Sequence, residues 1–242
     1  MKGVILAGGR GSRLYPLTKG ISKQLLPVYK YPMIYFPINT LKSFGIREIL
    51  IITTEEQSFL FKETLKDVRS VNLTFEIQKE PKGIAEALLI AENWLNGSDV
   101  VLVLGDNIII NADQNLLKST PNSIYTYKVK NPERYGVVVK DFWTGGIREI
   151  VEKPKEFLSN EAVIGLYVLS NKSCQYAKNL KPSKRGELEI VDLIKDMNAN
   201  EPFKVIPLDG FWFDAGTHDD LLDCSNLVKA IETRTDKSFD LA

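Results

Sequence analysis

The chain has 242 residues, of which 44% are hydrophobic, and its 31 basic side chains balance 31 acidic ones. This length fits either one large α/β domain or two small ones, and we take residues 1–242 as one domain. The balanced charge argues against binding to nucleic acid or to a membrane surface. The cysteines lack the spacing of zinc ligands, and no apolar run approaches ~18 residues, so we expect a cytoplasmic protein.

The N-terminal half alternates between predicted strands and predicted helices. Short apolar runs predict buried strands, and apolar residues three or four positions apart predict helices. The strands are expected at residues 3–7, 48–53, 72–78 and 99–104, and the helices at residues 33–44, 57–66 and 84–94. Because β-α-β units pair their strands in parallel, this half predicts a parallel sheet covered by helices on both faces.

Beyond Asp106 the alternation weakens, and turn-like links separate the predicted strands. Strands are expected at residues 123–128, 136–140, 147–151, 162–169 and 203–207, and helices at residues 187–197 and 218–233. Thr217 is the expected N-cap of the last helix. The whole chain therefore predicts a Rossmann-like α/β fold with a mixed, mainly parallel central sheet flanked by helices on both faces.

A glycine-rich turn, Gly8-Gly9-Arg10-Gly11-Ser12-Arg13, follows the first predicted strand. Its backbone amides can approach a phosphate closely because glycine has no Cβ. The turn is not a P-loop, and it fails the dinucleotide fingerprint, which needs glycine where Leu14 stands. Arg13 and the nearby Lys23 favour triphosphate binding. The alternative is a tight turn with solvated basic side chains.

Asp106 and Asp214 are candidate metal ligands. Asp106 follows the most apolar predicted strand, where ligands collect in open α/β sheets, and Asp214 lies in an aromatic, glycine-flanked loop. Mg²⁺ needs few carboxylates, because water and substrate phosphates complete its coordination. The alternatives are a turn residue at Asp106 and a residue at the start of a helix at Asp214. Spacing alone does not pair residues so far apart.

Several longer segments resemble one known family. They are Gly3–Thr18, Ile21–Tyr29, Leu104–Asn107, Asn131–Val138, Glu152–Pro154, Lys181–Ser183, Arg185–Ile190 and Trp212–Asp219. In these segments the chain resembles the glucose-1-phosphate thymidylyltransferases of the sugar nucleotidyltransferase superfamily. The resemblance implies the nucleotide-diphospho-sugar transferase fold and transfer of a thymidylyl group from dTTP to glucose 1-phosphate, with Mg²⁺ as cofactor.

The resemblance also implies roles for individual residues. The implied nucleotide-binding residues are Leu6, Gly8, Gly9, Gly11, Ser12, Arg13, Lys23, Gln24, Gln78, Gly83 and Asp106. The implied sugar-binding residues are Asn107, Tyr135, Gly136, Glu152, Lys153, Val163, Tyr167 and Arg185. Asp106 and Asp214 would hold the metal, and with Arg13, Lys23 and Lys153 they form the implied catalytic set. Residues 1–110 would be the nucleotide-binding half, and residues 111–234 the half that binds the sugar and completes the metal site.

Three other functions are weighed against this one. The first is the same chemistry with UTP or another hexose 1-phosphate. The second is a non-catalytic regulatory paralogue, which the presence of Arg13, Lys23, Asp106 and Asp214 disfavours. The third, a nicotinamide-dependent dehydrogenase, fails at Leu14. The family also implies a homo-oligomer, dimer or tetramer. Longer members continue beyond this C-terminus with a second subunit contact and an effector site, so feedback inhibition and a tetramer through that contact are not predicted.

Overall fold

The computed structural model describes residues 1–110 and 120–235. Its strands are β1 (Lys2–Leu6), β2 (Pro27–Val28), β3 (Tyr31–Pro32), β4 (Glu48–Thr53), β5 (Asn72–Ile77), β6 (Val100–Leu104), β7 (Asn107–Ile110), β8 (Ser123–Lys128), β9 (Gly136–Lys140), β10 (Ile147–Glu152), β11 (Glu161–Leu169), β12 (Lys204–Pro207) and β13 (Phe211–Asp214). Its helices are α1 (Tyr35–Ser43), α2 (Glu55–Leu65), α3 (Glu86–Leu95), α4 (Ser173–Asn179), α5 (Ile190–Asn198) and α6 (His218–Thr235). None of these helices is both long and apolar enough to cross a membrane.

The main sheet has the strand order β10-β9-β11-β6-β1-β4-β5, with β8 paired to β11 and β12 paired to β8. The strands of the N-terminal half, β1, β4, β5 and β6, are mutually parallel. β11 reverses direction and runs antiparallel to β6, β8 and β9. The predicted mixed sheet, parallel in its N-terminal half, is confirmed.

The central strands carry apolar residues on both faces of the sheet. On β1, Val4 belongs to a core cluster shared with α3, α4 and α5, whereas Ile5 belongs to a second cluster shared with α1 and α2. On β6, Leu102 and Val103 divide in the same way. Successive side chains of a strand point to opposite faces, so a strand covered on both sides has an unbroken apolar sequence. The predicted helical layers on both faces are confirmed.

The short strands β7 and β13 form a separate antiparallel ladder that the sequence did not predict. Its register pairs Asn107 with Asp214 and Ile109 with Trp212. β13 lies in the aromatic, glycine-flanked segment that was interpreted as a loop. The ladder joins the end of β6 to a segment far along the chain, and it thereby positions both candidate metal ligands.

The predicted helix boundaries hold less well than the sheet. The α5 helix begins at Ile190 rather than at residue 187, because Leu188 is held in an extended loop. The N–H of Leu188 donates to the Lys82 carbonyl at 2.7 Å, and the carbonyl of Leu188 accepts from Ala85 N–H at 3.1 Å. The short helix α4 was not predicted. The predicted cap of α6 is confirmed, since Thr217 Oγ1 accepts from the backbone N–H of the residue three positions on at 3.2 Å.

Candidate active site

The two candidate metal ligands lie side by side at the carboxyl end of the central strand. Asp106 stands between β6 and β7, and Asp214 is the last residue of β13. The ladder places Asp214 opposite Asn107, the residue that follows Asp106. Beyond the ladder, Ala215 N–H donates to the Asp106 carbonyl at 3.1 Å. The backbone therefore brings together two carboxylates that the sequence alone did not pair.

Each of these aspartates has a cation beside it. Lys23, in a 3-10 turn, forms a hydrogen-bonded ion pair with Asp106 Oδ2. Arg13, in an earlier 3-10 turn, places Nη2 at 3.7 Å from Asp214 Oδ2. Arg13 also lies against Gly216, where a Cβ would overlap its guanidinium group. The basic residues that accompany the glycine turn thus converge on the aspartate pair.

The pKa values of the two aspartates move in opposite directions. Burial raises the pKa of Asp214 to about 6, and the nearby charge of Asp106 adds to the increase. Burial also acts against the ionised form of Asp106, but the charge and hydrogen bond of Lys23 outweigh it and lower the pKa of Asp106. Two close carboxylates that are shielded from most of the solvent repel each other when both are ionised. A cation between them would relieve that repulsion.

The donor set at this pair fits a hard divalent cation. Both side chains are carboxylates, which Mg²⁺ prefers, and two are enough when phosphate oxygens and water complete the coordination. Within residues 1–110 and 120–235, no group of three or more His, Cys, Asp or Glu side chains could hold a metal ion. That part of the chain therefore offers no closed metal cage, and the aspartate pair suits a metal that arrives with a phosphate ligand.

The glycine turn separates two cavities. Residues 7–10 line the smaller one, of about 350 Å³, whereas Ser12 and Arg13 line the larger one, of about 630 Å³. Between them, Gly11 has a φ of 63°, a left-handed conformation that glycine adopts at little cost. The aspartate pair lines the larger cavity. A molecule with one end in each cavity would pass over the turn and its backbone amides.

The larger cavity collects every residue of the implied sugar-binding set. These are Asn107, Tyr135, Gly136, Glu152, Lys153, Val163, Tyr167 and Arg185. They come from β7, β9, β10, β11 and the loops beside them, so the sheet brings together segments that are distant in sequence. Burial raises the pKa of Tyr167 well above its ordinary range, and the charges of Glu152 and Asp106 act in the same direction. This side chain therefore stays a neutral hydroxyl on the cavity wall.

One wall of the larger cavity is charged. Lys153 has a φ of 45°, which is unusual for a side chain of this size, and its N–H donates to the Tyr135 carbonyl at 2.9 Å. Its Nζ lies 3.5 Å from Glu152 Oε1. Burial raises the pKa of Glu152, and the charge of Lys153 partly offsets that increase. Arg185 donates to Glu189 at 2.9 Å and lies 4.0 Å from Glu152. The wall presents two cations close to one partly buried acid.

The side chain of Asn107 forms hydrogen bonds with several elements that border the larger cavity. Its Oδ1 accepts from Gly165 N–H at 2.9 Å and from Trp212 Nε1–H at 2.6 Å, and its Nδ2 donates to Asp106 Oδ1 at 3.3 Å. The Trp212 ring packs edge-on against Tyr135, with 5.4 Å between ring centroids. The amide of Asn107 therefore connects β7, β11 and β13 and orients the Asp106 carboxylate.

The implied nucleotide-binding residues divide between the two cavities and the structure behind them. Gly8, Gly9 and Gln78 line the smaller cavity, and Ser12, Arg13 and Asp106 line the larger one. The remaining ones, which line neither cavity, are Leu6, Gly11, Lys23, Gln24 and Gly83.

Among these remaining residues, Lys23 contacts the site through its ion pair with Asp106. Others pack against the backbone of the loops that border the site. Gln24 is buried and packs against Gly105, where a Cβ would lie 2.9 Å from its Cγ. Leu6 accepts a hydrogen bond from Gly105 N–H through its carbonyl, at 2.9 Å. Gly83 has a φ of 102° and lies against the Leu188 backbone, which leaves no room for a Cβ. Their positions indicate support for the loops that border the site.

Sequence reasoning missed several residues that line the cavities. The larger cavity also contains Arg134 and Trp212, and the smaller one contains Arg10, Gln57 and Lys79. Arg134 stands directly before Tyr135, and a cation beside an implied sugar-binding residue was the available clue. Trp212, in the aromatic segment before Asp214, is buried in the core and also borders the larger cavity.

Comparison with known proteins identifies the family of the chain. Residues 2–230 match the nucleotidyl transferase family. The chain is 43% identical to a glucose-1-phosphate thymidylyltransferase of Neisseria meningitidis, covering 96% of this chain and 84% of that protein. It is 42% identical to the Mycolicibacterium smegmatis protein of the same name, covering 97% and 84%.

Solved structures give the same result. A Bacillus anthracis protein assigned as a glucose-1-phosphate thymidylyltransferase, solved with sucrose, superimposes with a TM-score of 0.85 at 39% identity, covering 94% of each chain. A UDP-glucose pyrophosphorylase complexed with UDP-glucose has a TM-score of 0.84 at 25% identity, covering 95% of this chain and 98% of that one. The nucleotide-diphospho-sugar transferase fold is thereby confirmed. The chain belongs to the nucleotidyl transferase family, within the group of glucose-1-phosphate thymidylyltransferases.

Proposed function

We propose that this protein transfers the thymidylyl group of dTTP to glucose 1-phosphate, which gives dTDP-glucose and pyrophosphate. The observation that carries the proposal is the position of the Asp106–Asp214 pair. It lies at the carboxyl end of β6, beside the glycine turn and inside the larger cavity, with Arg13 and Lys23 next to it. The relatives named above carry this activity in their names.

The two cavities divide the substrates between them. The smaller one holds the nucleoside of dTTP, and the larger one holds glucose 1-phosphate, with the triphosphate lying across the glycine turn between them. Support comes from the residues at each end, since the smaller cavity is lined by the turn and by Gln78, and the larger one by neutral and charged polar groups suited to a sugar phosphate. This assignment keeps residues 1–110 as the nucleotide half and residues 111–234 as the sugar half of one domain.

The reaction needs no general base. A phosphate monoester has its second pKa near ~6, so glucose 1-phosphate is largely dianionic at neutral pH and can attack the α-phosphorus directly. The remaining barrier is repulsion between two anions, which preorganised cations reduce. In the proposed complex Arg13 stabilises the negative charge of the departing pyrophosphate, Lys23 neutralises the nucleotide phosphates, and Lys153 binds the sugar phosphate.

Mg²⁺ is the proposed cofactor, with Asp106 and Asp214 as its protein ligands. When bound there, it supplies neutralisation of phosphate charge in the ground state and the transition state. The protein's own part is to hold both carboxylates in place, through the β7–β13 ladder and through Asn107. Lys23 and Arg13, which now contact these carboxylates, are then in position to turn towards the phosphates.

A matrix of nucleotides and sugar phosphates tests the proposal. Pyrophosphate release is measured for dTTP, UTP, dCTP and dATP against glucose 1-phosphate and several other hexose 1-phosphates. The proposal predicts the highest kcat/KM for dTTP with glucose 1-phosphate, and formation of dTDP-glucose in equal amount to pyrophosphate. Equal or better turnover with UTP would assign the protein to uridylyl transfer instead. A folded protein that binds nucleotide but releases no pyrophosphate with any pair would be a regulatory paralogue.

The proposal extends to assembly and location. We expect a homo-oligomer, dimer or tetramer, in the cytoplasm, by the family resemblance. Size-exclusion chromatography with light scattering measures the assembly, and a molar mass of one chain at micromolar concentration would contradict it.

A further inference from the structure

We infer that Glu86 is a positioning residue that fixes the orientation of the Gln78 amide and thereby selects a nucleotide base that presents a ring N–H donor. The inference rests on the proposed function, because it assigns the smaller cavity to the nucleoside. Glu86 is the first residue of α3 and belongs to none of the residue sets considered above.

The amide of Gln78 is held by an acceptor on one side. Its Nε2 donates to Glu86 Oε2 at 2.7 Å, and the same carboxylate oxygen accepts from Lys82 N–H at 3.2 Å. An ionised carboxylate can only accept hydrogen bonds, whereas an amide has one donating and one accepting end. The NH₂ end of Gln78 must therefore face Glu86, and the amide cannot turn over without losing this bond.

The other end of the amide faces the glycine turn and the smaller cavity. Gln78 lines that cavity although the residue is only 4% exposed. A Cβ at Gly8 would overlap Gln78 Oε1, so the absence of a side chain there leaves the carbonyl oxygen accessible beside the turn. Among the described residues, no hydrogen bond to Oε1 is formed. Oε1 is therefore an acceptor that a ligand in the smaller cavity can reach and donate to.

The chemistry of this acceptor predicts which bases fit. Thymine and uracil carry an N–H at ring position 3, which can donate to Gln78 Oε1. Cytosine has an acceptor at that position, so two lone pairs would face each other. Sites that hydrogen-bond a substrate group reject analogues that cannot reciprocate. Glu86 therefore contributes to discrimination between dTTP and dCTP through Gln78, without touching either nucleotide, and it gives no preference between dTTP and UTP.

A graded series of substitutions at Glu86 tests the inference by the ratio of kcat/KM for dTTP to that for dCTP. Glu86→Gln keeps an oxygen that Lys82 N–H can hold, and its ratio should stay within about 3-fold of the wild type. Glu86→Met removes the acceptor, frees the amide to rotate, and should lower the ratio at least about 10-fold. Glu86→Lys offers only donors, should turn the amide over, and should lower the ratio further. The change should appear in the KM for dTTP, with kcat within about 3-fold.

A double-mutant cycle separates this role from a merely structural one. In a Gln78→Met background there is no amide to orient, so adding Glu86→Met should change the ratio less than 2-fold. Glu86→Ala repeats the comparison if the methionine variant does not fold. An unchanged ratio in folded Glu86→Met, or an equally large effect without the Gln78 amide, would overturn the inference. Absence of turnover with every nucleotide in the wild type would instead count against the proposed function.

Discussion

The two cavities beside the glycine turn are assembled in different ways. The smaller one takes its lining from short segments within the first 81 residues, which are the glycine turn, the loop before Lys23, and the residues that follow β4 and β5. The larger one draws on residues from Ser12 to Asp214, across both halves of the chain. Parallel strands bring the ends of neighbouring β-α units together automatically, whereas the larger cavity depends on the reversed strand β11 and on the β7–β13 ladder.

A local motif can therefore indicate a phosphate site without indicating the chemistry. The glycine turn alone predicts an anion nearby. Its basic neighbours acquire a catalytic meaning only where the ladder places Asp214 next to Asp106. Loss of the Asp106–Asp214 pair should therefore lower activity more than loss of any other single group in either cavity.

The largest effect is expected from Asp106→Asn. The asparagine keeps the shape of the side chain but removes the charge proposed to bind Mg²⁺, so kcat should fall at least about 100-fold at any metal concentration. Pyrophosphate release under saturating substrates measures it. Asp209→Asn, at an exposed residue outside both cavities, is the matched control and should retain full activity. Near-normal turnover of the Asp106 variant would remove this residue from the metal site.

The second-largest effect is expected at Lys153 in the larger cavity, and it should concern the sugar phosphate only. Lys153→Asn removes the cation, while asparagine tolerates the left-handed backbone at this position. The kcat/KM for glucose 1-phosphate should fall about 10- to 100-fold, as expected for a lost charge-assisted hydrogen bond, with the KM for dTTP nearly unchanged. Lys155→Asn, at an exposed lysine nearby, is the control. A larger change in the KM for dTTP than for the sugar phosphate would contradict the division of substrates.

A smaller effect is expected on stability, with a defined dependence on pH. The pKa of Asp214 is raised from 3.8 to about 6 in the folded state, so the folded state holds this proton more tightly than the unfolded chain does. Between about pH 4 and pH 6 the folded state binds more protons than the unfolded state, and stability falls as pH rises through that window. In the presence of a chelator, Asp214→Asn should therefore be more stable than the wild type at pH 8, by about 1 to 3 kcal/mol, and nearly equal at pH 4.

Urea unfolding at the two pH values measures this difference. Added Mg²⁺ should reduce it, because the metal stabilises the ionised pair in the wild type only. A variant less stable than the wild type at pH 8, with the chelator present, would show that the Asp214 charge is not a cost to folding.

The sequence predicted the parallel half of the fold well. Its three central strands, β1, β4 and β6, are short apolar runs that are mostly buried, and the helices between the strands have regular apolar spacing. The sequence also predicted the cap at Thr217, because that signal is local. It missed the β7–β13 ladder, since a strand of four residues with aromatic neighbours has no distinctive pattern. The late start of α5 depends on contacts of Leu188 with a distant loop.

In the candidate site, too, local sequence signals predicted only the residues that lie close together in the chain. Arg13 and Lys23 were recognised beside the glycine turn because they lie close to it in sequence. The pairing of the aspartates, and the collection of Glu152 and Lys153 with Arg185, came from resemblance to a family rather than from spacing. Glu86 escaped attention because its role depends on the direction of one side-chain amide, which no sequence pattern records.

In the proposed site Asp106 and Asp214 together hold one divalent cation on the wall of the larger cavity. Mn²⁺, a spectroscopic substitute for Mg²⁺, can be titrated into the protein with dTTP and followed by electron paramagnetic resonance. We expect one bound Mn²⁺ per chain in the wild type and in Asp209→Asn, and at least about 10-fold weaker binding in both Asp106→Asn and Asp214→Asn. Unchanged Mn²⁺ affinity in folded Asp214→Asn would show that Asp214 does not bind the metal.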